Sequence, residues 1–256
     1  MKMMQKNVKR PSIIVSLIAL FAALYVVLSL LPGIPVIGLP EMKIELEASI
    51  ASVFGMVLGP YLGTLAAFIG TIAAFFLPPG FSLFSAIFIF NPALNALIVG
   101  LIFRNKWKIA FVLFAIIIIA FWLTPISNPI NENWYVALVS TFDKIIALLL
   151  IIPVAIMLRT RSIQVEKIEL KLLSESFLLV FLISFIGNQA DSALGCLIFA
   201  LPPVYEGIWG LNLEVTRGLF LISPLAYPAI RLLQAFIAAL IGLPLIKVFR
   251  IMRVQV

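Results

Sequence analysis

The sequence contains no histidine, one cysteine and few charged residues. Charged side chains make up 11% of the 256 residues, whereas a soluble domain has about 25%. Without histidine the chain lacks the usual general base and the commonest metal ligand, which excludes serine–histidine chemistry and histidine-built metal sites. The lone Cys196 cannot form a disulfide within the chain. We therefore expect a protein that is not an enzyme and that has neither a metal site nor a cofactor.

Apolar residues, by contrast, make up 63% of the chain and gather in long runs. A helix that crosses a membrane needs about 20 such residues, so the runs predict membrane-spanning helices. The basic residues lie between the runs, which is typical of membrane topology and not of a nucleic-acid surface. The predicted spans are 13–31, 44–58, 61–77, 81–103, 107–123, 134–158, 172–201 and 226–249.

The break between the second and third spans decides the topology. Pro60 interrupts any helix through the stretch 45–77 because proline removes a helix hydrogen bond. Splitting the stretch there places all four basic clusters, which hold 14 of the 18 basic residues, on one side of the membrane, as cytoplasmic loops require. The sequence thus predicts an all-α transmembrane bundle of about eight helices, one domain over residues 1–256, with both termini in the cytoplasm.

Polar side chains inside the predicted spans are the main functional signal. An ionisable group in a membrane interior costs roughly 2.5–3.5 kcal/mol on insertion scales and by default marks function. Helical spacing places several of these groups on shared faces, in the outer halves of their spans. This pattern predicts a pocket that opens outward and takes a small polar molecule. The candidate substrate-binding residues are Asp191, Asn188, Gln189, Asp143, Lys144, Arg231, Gln234, Asn91, Asn95 and Glu47.

For any single one of these residues a structural role is an equal alternative. Asp191 can pair with Arg231 simply to hold two helices together, and Asn91 before Pro92 can satisfy backbone groups at a kink. Small residues leave a similar choice: the face formed by Gly63, Ala67 and Gly70 permits close helix approach, either inside the bundle or to another subunit. The outer loop 202–225 is either a lid or a plain connector.

The run Gly55-Met-Val-Leu-Gly-Pro-Tyr-Leu-Gly-Thr-Leu-Ala-Ala-Phe-Ile-Gly70 resembles the glycine–proline signature of the substrate-binding S components of energy-coupling-factor (ECF) transporters. Further similar features are the pair Ala19 and Ala23, the helix end Gly100–Arg104, the polar run Gly187–Asp191 and the closing helix 228–245. The resemblance implies a six-helix core, here with two helices added. It also implies a cell-membrane protein that captures a vitamin or a related micronutrient from outside.

The same resemblance implies partners. An S component works with a transmembrane T subunit and two cytoplasmic ATPase subunits, and it does no chemistry itself. By this resemblance Ala19 and Ala23 would contact the T subunit, together with Ser16 on the same side of the first helix, and the loop 32–43 would gate the pocket. No nucleotide-binding motif occurs in the chain, which agrees with a separate energy source.

One alternative function remains at this point. Asp191 or Asp143 could serve as the ion site of a self-sufficient, ion-coupled secondary transporter of a small polar solute, with helices broken at Gly59-Pro60 and Asn91-Pro92. A missing internal repeat and inner half-spans nearly free of ionisable groups count against this alternative. An enzyme acting on lipids would need paired acidic residues near the cytoplasmic face, and no Asp-x-x-Asp motif occurs.

Overall fold

The computed structural model describes residues 11–36, 39–44, 47–77, 82–162 and 171–251. Within these ranges the chain is helical except for one short hairpin of two strands. The elements are α1 (Pro11–Leu28), β1 (Ile34–Val36), β2 (Leu39–Ile44), α2 (Ala51–Leu58), α3 (Pro60–Ala74), α4 (Leu83–Ala86), α5 (Asn91–Phe103), α6 (Trp107–Trp122), α7 (Ile130–Ser162), α8 (Lys171–Phe199), α9 (Pro202–Tyr205), α10 (Leu213–Ile222) and α11 (Tyr227–Ile251).

The eight predicted spans correspond in order to α1, α2, α3, α5, α6, α7, α8 and α11, so the prediction of a helical membrane bundle is confirmed. Among the described residues, four helices are long and apolar enough to cross a membrane alone, namely α1, α7, α8 and α11. Helices α3, α5 and α6 are apolar but shorter, and α2 has only eight residues. The fourth span is not continuous, because turns separate α4 from α5, which has a proline in its first turn.

The predicted break at Gly59-Pro60 is a sharp turn between two helices. Gly59 adopts a φ of +84°, a conformation that glycine reaches without steric cost, and Pro60 begins α3. Helix α3 then packs back on α2, since a Cβ placed on Gly63 would lie 2.6 Å from the carbonyl oxygen of Phe54. In one continuous helix these two residues would be about 13 Å apart, so the stretch is two helices.

Three glycines bring the backbones of α2, α3 and α5 into direct contact, and we call this region the glycine junction (Gly55, Gly63 and Gly100). A Cβ on Gly55 would lie 2.3 Å from the Ala96 carbonyl oxygen, and a Cβ on Gly100 would lie 2.5 Å from the Pro60 Cα. Gly70 likewise lies against Tyr25 of α1. The small-residue face of α3 therefore serves internal packing, which was one of the two alternatives.

Helix α8 is the central element of the second half of the bundle. It packs against α5, α6, α7 and α11. In its most apolar stretch of 18 residues, 72% of the residues are buried. Its buried aliphatic side chains, such as Ile183 and Ile186, join the largest apolar cluster with α5, α6 and α7. A helix in this position brings its polar residues into the interior together with its apolar ones.

The segment 202–225 is folded against one end of the bundle. Val204, Tyr205 and Phe220 are buried in an apolar cluster with Phe121 and Phe199. Arg217 of α10 donates hydrogen bonds to the carbonyl oxygens of residues 125, 126 and 128 in the α6–α7 connection. Burial and the neighbouring Glu206 raise the pKa of Tyr205. The segment is thus a packed cap, held in place by both apolar and polar contacts.

The connection between α1 and α2 contains the antiparallel hairpin of β1 and β2, in which Ile34 pairs with Ile44. The hairpin occupies most of the predicted loop 32–43 and ends at Ile44, the first residue of the predicted second span, whose helix α2 begins only at Ala51. The loop between α7 and α8 lies outside the described residues over 163–170.

Candidate functional site

Polar side chains from α7, α8 and α11 meet inside the bundle, and we call this group the polar seam. Each of its side chains is at most 7% exposed. Helix α8 supplies three of them from a single turn, and α7 and α11 supply two each from the half of the helix nearer the cap. The members of the polar seam are Asp143, Lys144, Asn188, Gln189, Asp191, Arg231 and Gln234.

An ion pair links α8 to α11. The Nη2 atom of Arg231 lies 3.6 Å from Oδ1 of Asp191, and its Nη1 atom donates a hydrogen bond of 2.9 Å to Oε1 of Gln234. Arg231 and Gln234 are three residues apart on α11, so one turn of helix holds both groups toward α8. The pairing of Asp191 with Arg231, which the sequence left as an alternative to a role in binding, is present in the structure.

A second ion pair lies within α7. The Nζ atom of Lys144 is 2.9 Å from Oδ1 of Asp143, and both side chains are buried. Asp143 and Lys144 of α7 and Arg231 of α11 all lie close enough to Cys196 on α8 for their charges to act on its thiol. Groups from both ion pairs therefore lie near the same part of α8.

An amide chain joins α8 to α5 and α2 beside the polar seam. Ser52 of α2 donates a hydrogen bond of 2.9 Å to Oδ1 of Asn95, whose Nδ2 donates one of 3.0 Å to Oδ1 of Asn188. Gly187 makes this approach possible, since a Cβ there would lie 2.2 Å from Oδ1 of Asn95. The sequence placed Asn95 and Asn188 among the site residues but did not single out Ser52, although Ser52 is the only polar residue between Ile50 and Leu58.

Several buried polar atoms have no hydrogen-bond partner among the described residues. Both amide atoms of Gln189, Nδ2 of Asn188, Oγ of Ser184 and Nε of Arg231 are in this state. A buried donor or acceptor without a partner costs about 1–3 kcal/mol, so native proteins retain few of them. These atoms offer both donors and acceptors and are arranged along two turns of α8 and one turn of α11.

The remaining predicted site residues lie at the edge of this region or cannot be placed. Asn91 opens α5, and its Nδ2 lies 2.9 Å from where a Cβ of Gly195 would stand, so it faces α8 one turn beyond Asp191. Its Oδ1 has no partner among the described residues. Glu47 begins a 3-10 turn before α2, and its side chain lies outside the described part of the structure.

The chemistry that this arrangement can perform is recognition by hydrogen bonding. The charged groups are matched in pairs, and the atoms without partners are mostly neutral amides and a hydroxyl. Across residues 11–36, 39–44, 47–77, 82–162 and 171–251, no three side chains of the kinds that bind metal gather into a possible site.

Helices of this length and composition around a buried polar seam define a multi-pass membrane protein. The family model for the ECF-type riboflavin transporter, S component, matches residues 12–162, which is more than half of the chain, and the chain therefore belongs to this family of vitamin transport proteins. The match ends within α7, so it includes Asp143 and Lys144 but not α8 or α11. No curated protein and no solved structure gives a significant match.

Proposed function

We propose that this chain is the substrate-binding subunit of an ECF importer in the cell membrane, and that it binds riboflavin or a closely related vitamin in the polar seam. Separate ATPase subunits supply the energy, and the chain itself carries out no chemical step. The family supports the role of the subunit. The unpartnered atoms of Gln189, Asn188 and Arg231 support the position of the site.

The chemistry of the unpartnered atoms suits such a ligand. Riboflavin combines a planar ring, which carries carbonyl acceptors and an imide N–H donor, with a hydroxylated side chain, and it has no net charge. Gln189 can donate and accept at once, and Asn188 can donate from Nδ2 while Asn95 occupies its Oδ1. Because the charges of the polar seam are already paired, a neutral ligand leaves those ion pairs intact.

The polar seam lies toward the end of the bundle that carries the cap, and this position supports a site that opens to the outside of the cell. Ser140, one turn before Asp143 on α7, lies 3.5 Å from the carbonyl oxygen of Phe220 in the cap. Basic side chains lie near the other ends of α7 and α11, at Arg159 and Lys247, and such clusters are typical of the cytoplasmic side. The cap and the polar seam then face outward.

Replacing Gln189 with leucine tests the site through two readouts. Removal of an unpartnered buried amide should leave the free protein as stable as before or more stable, because no hydrogen bond within the protein is lost. Riboflavin affinity should fall by roughly tenfold, because the ligand loses both a donor and an acceptor. Quenching of riboflavin fluorescence by the purified protein measures the affinity, and thermal unfolding measures the stability.

Thr71→Val is the matched control, since Thr71 is buried on α3 and donates only to the Ala67 carbonyl of its own helix. It should leave riboflavin affinity unchanged. If Gln189→Leu raises stability and leaves affinity as it was, the polar seam is not the binding site. Uptake that survives deletion of the ATPase subunits would instead support an ion-coupled transporter, the alternative in which Asp191 or Asp143 is the ion site.

The partner subunit can be tested on α1. Ser16, Ala19 and Ala23 form an exposed strip of small side chains, which suits close packing against a helix of the T subunit. Ala19→Phe or Ala23→Phe should spare riboflavin binding and abolish co-purification with the T subunit and the ATPases. Ile116→Phe, on the exposed face of α6, is the control; equal loss of assembly in all three variants would contradict this interface.

A further inference from the structure

Two tight turns meet at the end of the bundle opposite the cap. The α5–α6 turn contains Arg104 and Lys106 and lies against the α2–α3 turn, and Lys108 follows in the first turn of α6. We call Arg104, Lys106 and Lys108 the basic patch. A Cβ on Gly59 would lie 3.3 Å from Nε of Arg104, and Nζ of Lys106 lies 5.6 Å from the centre of the Tyr61 ring. Two turns that are far apart in sequence thus combine cations with an aromatic ring.

The cations of the basic patch are exposed and held on a rigid turn. The backbone nitrogen of Lys106 donates a hydrogen bond of 2.7 Å to the Leu101 carbonyl oxygen, and Asn105 adopts a left-handed φ of 59°. Neither Lys106 nor Lys108 has a carboxylate partner within the described part of the chain. Nζ of Lys108 lies 5.9 Å from the Trp107 ring centre, so aromatic rings flank both lysines.

Apolar faces begin at the basic patch and continue along two helices. Helices α3 and α6 both start at this corner, at Pro60 and Trp107, and both pack against α5. Exposed apolar side chains then recur along both helices at a spacing of three or four residues. They are Leu65 and Ile69 on α3 and Ile109, Val112 and Ile116 on α6. In a membrane protein such faces contact acyl chains, and tyrosine and tryptophan prefer the depth of the lipid headgroups.

We propose that the basic patch binds the phosphate of an anionic phospholipid, whose acyl chains lie along the exposed faces of α3 and α6. Charge complementarity favours an anionic headgroup, because all three cations of the basic patch are exposed and aromatic rings flank the two lysines. The apolar faces favour a lipid over a free anion, because a soluble phosphate would contact only the basic patch and not the apolar side chains of α3 and α6. This site is separate from the polar seam and does not depend on the identity of the vitamin.

Native mass spectrometry of the delipidated, full-length protein tests the proposal. Phosphatidylglycerol, phosphatidylcholine and inorganic phosphate are added in separate titrations to the protein and to its Lys106→Gln/Lys108→Gln variant. We expect phosphatidylglycerol to bind with defined stoichiometry and the double variant to bind it about tenfold more weakly. Phosphatidylcholine should bind weakly to both proteins, and inorganic phosphate should bind to neither.

A charge-matched variant provides the control. Arg159→Gln/Lys247→Gln also removes two exposed cations, but from α7 and α11, and it should keep the affinity for phosphatidylglycerol within about twofold. Equal losses in both double variants would overturn the site, because attraction would then follow net charge alone. Unchanged lipid binding in Lys106→Gln/Lys108→Gln, together with lost assembly with the ATPases, would reassign the basic patch to a protein partner.

Discussion

The glycine junction and the polar seam hold helices together in opposite ways. At the glycine junction the absence of side chains lets backbones touch, as where Gly55 meets Ala96. In the polar seam long side chains fill the space between α7, α8 and α11, and some of their polar atoms have no partner among the described residues. One region is closed by packing, whereas the other keeps capacity for further hydrogen bonds.

The difference reflects what a membrane allows. Apolar helices gain little from burial against each other in lipid, so close packing and polar contacts must join them. Close packing leaves no room for a ligand, and polar contacts become a site only where they are incomplete. The family match includes the whole glycine junction but ends before α8 and α11. The shared part of the chain is therefore mainly the close-packed scaffold.

The largest loss of stability is expected when a side chain is added at the glycine junction. Gly55→Val places a branched side chain where a single Cβ already lies 2.3 Å from a backbone oxygen, so α2 and α5 must separate. We expect a loss of about 3 kcal/mol or more in stability, seen as poor expression or a strongly lowered melting temperature. Gly218→Ala is the control, because no atom lies within 4 Å of its added Cβ. Similar melting temperatures in both variants would contradict the close packing of backbones at the glycine junction.

A smaller effect on stability, with a clear effect on binding, is expected in the polar seam. Asp191→Asn removes the negative charge 3.6 Å from Arg231, so the unpartnered Nε of Arg231 is no longer held in position for the ligand, and riboflavin binding should weaken by roughly tenfold or more. Expression should be retained, because polar contacts between membrane helices contribute only about 0.6 kcal/mol on average. Glu206→Gln, which alters an exposed carboxylate of the cap, is the control. Unchanged affinity in Asp191→Asn would remove this residue from the site.

The smallest effect on riboflavin binding is expected at Ser52, which links the α2 helix of the glycine junction to the polar seam. Ser52 of α2 reaches the polar seam through Asn95, and Ser52→Ala removes one hydrogen bond without creating a large cavity. Stability should fall by about 1 kcal/mol, and riboflavin affinity should change less than in Asp191→Asn. Thermal unfolding and fluorescence quenching measure the two quantities. A larger loss of affinity than in Asp191→Asn would mean that Ser52 contacts the ligand directly.

Much of the polar seam followed from helical spacing. Asn188, Asp191 and Ser192 occupy one face of a helix, and that face is buried. Gln189 lay off this face, yet its side chain is fully buried as well, because neighbours surround α8 on several sides. Spacing along one helix cannot predict how many partners that helix has. For the same reason the role of Ser52 was missed, since its partner Asn95 lies 43 residues away.

The sequence alone determined a membrane protein built of helices, because the cost of polar backbone and side chains in lipid leaves few other solutions. It also determined the position of the turn at Gly59-Pro60, since proline and basic loops act locally. Only the tertiary structure decided that Gly63 packs on α2, that the cap is folded, and which polar atoms remain without partners. Those outcomes depend on contacts between distant segments, which no local pattern records.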